Sequence, residues 1–148
     1  MSRRKGRIIA FQALYSWDVS KSSLDDLLSF SWLQKPDEQE QDEPSENAKE
    51  ERSFASIIIS GTISHIDEID KLIENHLSSS WSMDRISRVS LAILRTSVYE
   101  ILFQNGSEPR IVIDEAVNIS KDYDTDDSYK FINAVLDKIG KDELGKNS

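Results

Sequence analysis

The chain has 148 residues, 38% of them apolar and 30% charged, with a net charge of −9. That is enough for one domain with a sizeable core and a polar surface. The absence of cysteine excludes a disulfide framework and thiolate metal ligation. No apolar run approaches a membrane span, and no signal-peptide pattern follows the N-terminal arginines, so the expected location is the cytoplasm. Only five glycines and three prolines are present, and there is no long alternating strand pattern, which favours an all-α fold.

Arg3, Arg4, Lys5 and Arg7 crowd the first seven residues, and no acid appears before Asp18. Without those four charges the −9 chain would stand at −13. An acidic body has little general attraction for nucleic acid, so a compact basic end suggests one aimed contact with a polyanion. The same residues also fit a disordered basic tail, and by themselves they do not separate the two readings. A first helix is expected from about Ser2 to Val19. Ile8, Ile9, Phe11, Leu14, Tyr15 and Trp17 cover most of its circumference, so it should be largely buried. Lys5, Gln12 and Ser16 form its narrow polar stripe, with Tyr15 at the margin. Cations at a helix start oppose its dipole, which argues for a functional reason.

Ser22 or Ser23 can cap a second helix through Leu24, Leu27 and Leu28. Residues 35–52 then hold eight acids, three bases and two prolines without a large apolar side chain, and read as a solvated acidic loop. A long helical stretch follows, from between Glu46 and Glu51 to Leu77. Gly61 marks either a close helix approach or a break. His65 and His76 lack clustered ligands, so no metal site is expected. Trp81 opens a linker to a helix over about 84–103 that is apolar nearly all round. Its clearest polar stripe is Arg88, Arg95 and Tyr99. Pro109 stands at the favoured start of the next helix, which runs to about Tyr123. A last helix follows the acidic turn at 122–127 and should stop near Ile139, at Lys138 and Gly140, with a disordered tail over about 141–148.

No glycine-rich phosphate loop, histidine pair at metal spacing or cysteine nucleophile appears, so neither catalysis nor a cofactor is expected. In the last helix Ile132, Val135, Leu136 and Ile139 make the core face. Phe131 falls about a quarter-turn off it, beside Asp127, Lys130 and Ala134. Such an aromatic can stack a base while the lysine meets phosphate. On these residues alone a core-edge phenylalanine is the simpler reading. Asp127 can cap the helix or accept hydrogen bonds from base edges.

Several of these segments together resemble the NusB family of bacterial transcription antitermination factors. They are Arg3–Arg7 leading into Gln12-Ala13-Leu14-Tyr15-Ser16-Trp17, then Ala92-Ile93-Leu94-Arg95 with Val98-Tyr99-Glu100. Next come Pro109 with Ile113-Asp114-Glu115-Ala116-Val117, and finally the run from Asp127 to Lys138. The likeness covers residues 2–20 and 81–140 by motif and 54–77 by pattern. It implies a single all-helical domain of six to seven helices in two packed subbundles. It also implies binding to the boxA element of ribosomal RNA leader transcripts, pairing with the ribosomal protein NusE, and entry into an RNA polymerase antitermination complex. Carried over by position, Arg3, Arg4, Lys5 and Arg7 match the family's basic RNA-binding arm. Asp127, Ser128, Lys130 and Phe131 match its second RNA contact, and Tyr15 matches a tyrosine of the partner contact.

Two positions depart from the family pattern. Ser90 and Leu91 stand where an acid and then a base are usual, so the carboxylate expected to meet NusE at position 90 is missing. Asp114 replaces a usual asparagine. The rival reading keeps the fold as a protein–protein adaptor without specific RNA binding, for which the basic arm and the Lys130–Phe131 pair would be superfluous. At 148 residues the chain leaves no room for the methyltransferase domain to which NusB-like domains are also fused.

Overall fold

The computed structural model describes residues 2–33, 44–104 and 106–145. It contains seven α-helices among those residues: α1 (Arg3–Val19), α2 (Leu24–Ser29), α3 (Glu46–Ser64), α4 (Ile66–Asn75), α5 (Arg88–Leu102), α6 (Pro109–Tyr123) and α7 (Ser128–Gly145). No strand occurs among the described residues. Helices α1, α2 and α3 pack together as one subbundle, and α4, α5, α6 and α7 as the other, while α5 also lies against α1 and α3.

Helix α5 is the shared core element because its sequence is apolar on every side. Eleven of its fifteen residues are buried. Its expected polar stripe is absorbed by pairing. Arg95 is buried, with Nε 2.9 Å from Asp70 Oδ1 and Nη2 2.9 Å from Asp70 Oδ2. The Arg95 guanidinium also lies 5.7 Å from the Trp17 ring centroid. Arg88 reaches Asp18 at 3.2 Å. Arg95 can enter the core only with such a partner, whereas Arg88 stays exposed. The helix begins at Arg88 rather than near residue 84, because Ser87 caps it by accepting from the Ser90 N–H at 3.0 Å. Residues Met83–Arg85 form a separate short 3-10 turn.

Helix α1 starts at a serine cap, Ser2, whose hydroxyl accepts from the Lys5 N–H at 3.2 Å. Its buried face is Gly6, Arg7, Ala10, Phe11, Ala13 and Leu14. The break between α3 and α4 falls at His65, not at Gly61. Gly61 is instead a point of close approach: a Cβ there would lie 1.9 Å from Cε1 of Tyr99 on α5. His65 stacks on Phe103 with ring centroids 4.3 Å apart.

Two expected boundaries move. Residues 46–52 of the expected acidic loop are the first turns of α3, capped by Ser45; residues 35–43 lie outside the described residues. Helix α7 continues past Gly140 to Gly145, so residues 141–145 of the expected tail are helical, and 146–148 lie outside the described residues. Glycine inside a helix costs about 1 kcal/mol relative to alanine. Packing offsets that cost here: Ile139 and Gly140 are buried, and Asp142 Oδ2 sits 2.9 Å from Nε2 of His76 at the end of α4. Among the described residues no helix is long and apolar enough to cross a membrane, and no group of three or more His, Asp or Glu could hold a metal ion.

Candidate functional site

The basic segment is the first turn of α1, held in place from α3. The Ser2 N–H donates to Glu51 Oε1 at 3.3 Å. Phe54 packs so closely on Gly6 that an added Cβ would meet its Cδ1 at 2.5 Å. The guanidinium carbons of Arg3 and Arg7 lie 5.9 Å and 5.6 Å from the Phe54 ring centroid. The cations are therefore presented by a fixed helical turn rather than by a disordered tail.

Within that turn the four cations separate into two kinds. Arg3, Arg4 and Lys5 are exposed. Arg7 is not: it is 8% exposed, and its Nε and Nη2 donate to the two Glu100 carboxylate oxygens at 2.7 Å and 2.9 Å. Arg7, expected in the RNA-binding arm with Arg3, Arg4 and Lys5, is thus turned away from the exposed face of the turn. Its guanidinium points inward to α5 because Glu100, itself 2% exposed, needs a counter-charge there.

Arg4 pairs with Asp122 near the end of α6, and both side chains are about half exposed. A surface pair of this kind is worth only about 0–1 kcal/mol, so a phosphate can replace the carboxylate at little cost. The next residue back, Lys121, has its Nζ 4.7 Å from the Tyr129 ring centroid on α7, and Lys130 lies 5.9 Å from the same ring. The end of α6 thus joins the basic turn of α1 to the start of α7. Arg3, Arg4, Lys5, Lys121 and Lys130 are all exposed along this path. Tyr129 and Asp122 are the joining residues that sequence reasoning missed, since neither stands out by type or spacing.

At the start of α7, Asp127 is exposed and its Oδ1 lies 3.7 Å from Lys130 Nζ. The Ser128 hydroxyl is 2.6 Å from that of Thr125. Phe131 is half-buried: it packs on the core and also meets Trp81, with ring centroids 5.2 Å apart. The core-edge description of Phe131 fits this packing. The turn before α7 is tied to α5 through Asp124, whose carboxylate accepts from the hydroxyls of Ser87, at 3.3 Å, and Ser90.

Those bonds separate the two expected partner residues. Tyr15 is 37% exposed and lines an open groove of about 420 Å³ with Phe11, Gln12, Ser16, Trp32, Leu33, Val89 and Tyr123. Ser90 is 2% exposed and turned to Asp124, away from that groove. Ser90, expected at the partner contact, is drawn as a short hydroxyl toward the Asp124 carboxylate at the α5–α6 junction, and Val89 lines the groove instead.

A family model described as the NusB family matches residues 4–141. The chain belongs to the NusB family. It is 50% identical over 139 residues to the transcription antitermination protein NusB of Treponema denticola, covering 94% of this chain and 96% of that one. The NusB protein of Borreliella burgdorferi is 40% identical over 136 residues, with 91% of each chain covered. Among solved structures, T. maritima NusB superposes with a TM-score of 0.78 at 30% identity, covering 95% of this chain and 92% of that one. A chain from a crystal structure of antitermination factors NusB and NusE in complex with dsRNA gives 0.77 at 31% identity, covering 95% and 96%. The NusB likeness thus spans both subbundles, including the α1 turn and the start of α7.

Proposed function

We propose that this chain, acting as a single cytoplasmic domain, is a non-catalytic transcription antitermination factor. It binds the boxA element of ribosomal RNA leader transcripts together with NusE and joins the RNA polymerase antitermination complex. The observation that carries this reading is the placement of Arg3, Arg4 and Lys5. They form a rigid basic turn on an otherwise acidic protein, continued through Lys121 and Lys130 to the aromatic Phe131. Single-stranded RNA needs this combination of cations for phosphate and aromatic and polar groups for splayed bases. Asp127 supplies an acceptor for base amino groups, and Ser128 a hydroxyl. The names of the relatives support the same reading.

NusE is assigned to the groove around Tyr15, which is apolar, open and separate from the basic path. The test is a titration of the full chain with boxA RNA and a scrambled control, with and without NusE, at several salt concentrations. Binding that is boxA-selective and strengthened by NusE is the expected result. NusE binding without any RNA selectivity would instead favour a pure protein–protein adaptor.

A further inference from the structure

Trp81 is 44% exposed and takes no part in the core. Its exposed part leaves an aromatic surface open to solvent on a polar linker. The linker around it is nevertheless built. The Trp81 backbone N–H donates to the Ser78 carbonyl at 2.9 Å, and Arg85 Nη1 donates to the Ser80 carbonyl at 3.1 Å. Arg85 thereby closes the segment 80–85 around the Trp81 backbone. On its inner side Trp81 meets Phe131, with centroids 5.2 Å apart and planes at 31°. Beside the two rings lies an open hollow of about 320 Å³, rimmed by Arg85, Ser87, Asp127 and Ser128.

We propose that Trp81 is a further base-stacking residue, and that this hollow receives a nucleobase of single-stranded RNA beyond the one assigned to Phe131. The inference rests on the RNA-binding reading above and extends it from α7 onto the linker before α5. The two rings already touch, so the base stacks on the outward face of Trp81 rather than between them. The rim suits a base better than a protein side chain. It offers a carboxylate acceptor in Asp127, a hydroxyl in Ser128 and a cation in Arg85 around an aromatic floor. The hollow is continuous with Lys130 through the Asp127 contact, so the strand that reaches Phe131 passes its mouth.

The experiment compares wild type with Trp81→Ala and Trp81→Phe, each with NusE, for binding to boxA RNA and to the same RNA carrying single abasic positions. Trp81→Ala should weaken binding to intact RNA about 5- to 150-fold, the range for loss of one stacked base, with Trp81→Phe retaining most of the affinity. The salt slope should be unchanged, because no phosphate contact is removed. One abasic position should weaken wild type and leave Trp81→Ala unaffected, locating the base. Melting temperatures should match wild type, since Trp81 lies outside the core. Full RNA affinity in Trp81→Ala, while Arg3, Arg4 and Lys5 variants still bind weakly, would overturn the subsite and leave the RNA-binding reading standing. Lost NusE association with intact binary RNA binding would make the hollow a protein contact and overturn the proposal. No RNA binding by wild type would overturn both readings together.

Discussion

Arg7 and Glu100 form a two-pronged buried ion pair, 2.7 Å and 2.9 Å long, that fastens the start of α1 to the central helix α5. The pair lies one turn below the exposed cations, so it sets where the basic turn points. Removing one member strands a buried charge, at a cost of about 3–5 kcal/mol. Arg7→Ala should therefore lower the urea midpoint sharply. Arg7→Met with Glu100→Leu removes both charges together and should recover most of that loss. If Arg7→Ala unfolds like wild type, Arg7 is not the anchor described.

The exposed cations should behave in the opposite way. Arg3→Ala, Arg4→Ala and Lys5→Ala combined remove only a surface ion pair and a peripheral ring contact. Their stability cost should stay within about 1 kcal/mol. For single-stranded RNA, each phosphate no longer neutralised should flatten the plot of log K against log salt by about 0.7. Affinity should fall for boxA and scrambled RNA alike. An unchanged slope in the triple variant would remove this turn from the phosphate path.

The helices were legible because apolar spacing is a local signal. Ile132, Val135, Leu136 and Ile139 marked the buried face of α7, and all four are buried. Pro109 marked the start of α6 for an equally local reason. The burial of Arg7 and Arg95 was not legible because their partners are remote in sequence: Glu100 is 93 residues from Arg7, and Asp70 is 25 from Arg95. Periodicity ranks residue types and does not see a counter-charge on another helix. The same limit hid Asp124 behind Ser90. Gly140 carried a genuine local stop signal, overridden by packing of α7 against α4. Of the candidate site, the two basic and aromatic ends were readable. The link between them through Asp122, Lys121 and Tyr129 was not, because it exists only once α6 and α7 are folded together.

Phe131 needs a probe that separates packing from stacking, because the ring contributes to both the core and the surface. Phe131→Ala should lose RNA affinity by roughly 1–3 kcal/mol. It should also lose stability, by less than the roughly 3–5 kcal/mol of a fully buried phenylalanine. Phe131→Leu keeps much of the apolar volume and removes the aromatic face. Its melting temperature should stay near wild type while its RNA affinity falls nearly as far as that of the alanine variant. Full RNA affinity in Phe131→Leu would show that the ring only fills space.

Ser90 offers a test of the inward geometry at the start of α5. Ser90→Glu restores the acid usual in the family, but it sets a second carboxylate against Asp124 in a site that is 2% exposed. Like charges in a confined site repel, and an unpaired buried carboxylate is costly. The variant should melt at a lower temperature than wild type and gain no affinity for NusE. Tighter NusE binding with normal melting would mean that residue 90 reaches the partner after all.

Tyr15 supplies the complementary test on the outward side. It lines the apolar groove with Val89 and Tyr123, and Tyr123 also meets Phe11 edge-on at 5.4 Å. Tyr15→Asp places a charge where a partner would bury apolar surface, at a residue that is 37% exposed and outside the buried core. Calorimetric titration with NusE should show a large loss of affinity, while binary RNA binding at moderate salt should weaken only slightly. The slight loss follows from distance rather than contact: one added negative charge on the same helix as Arg3, Arg4 and Lys5 acts through solvent, where separations beyond roughly 8–10 Å are mostly screened. Circular dichroism must first show that the variant is folded. Normal NusE association in a folded Tyr15→Asp protein would move the partner surface off this groove.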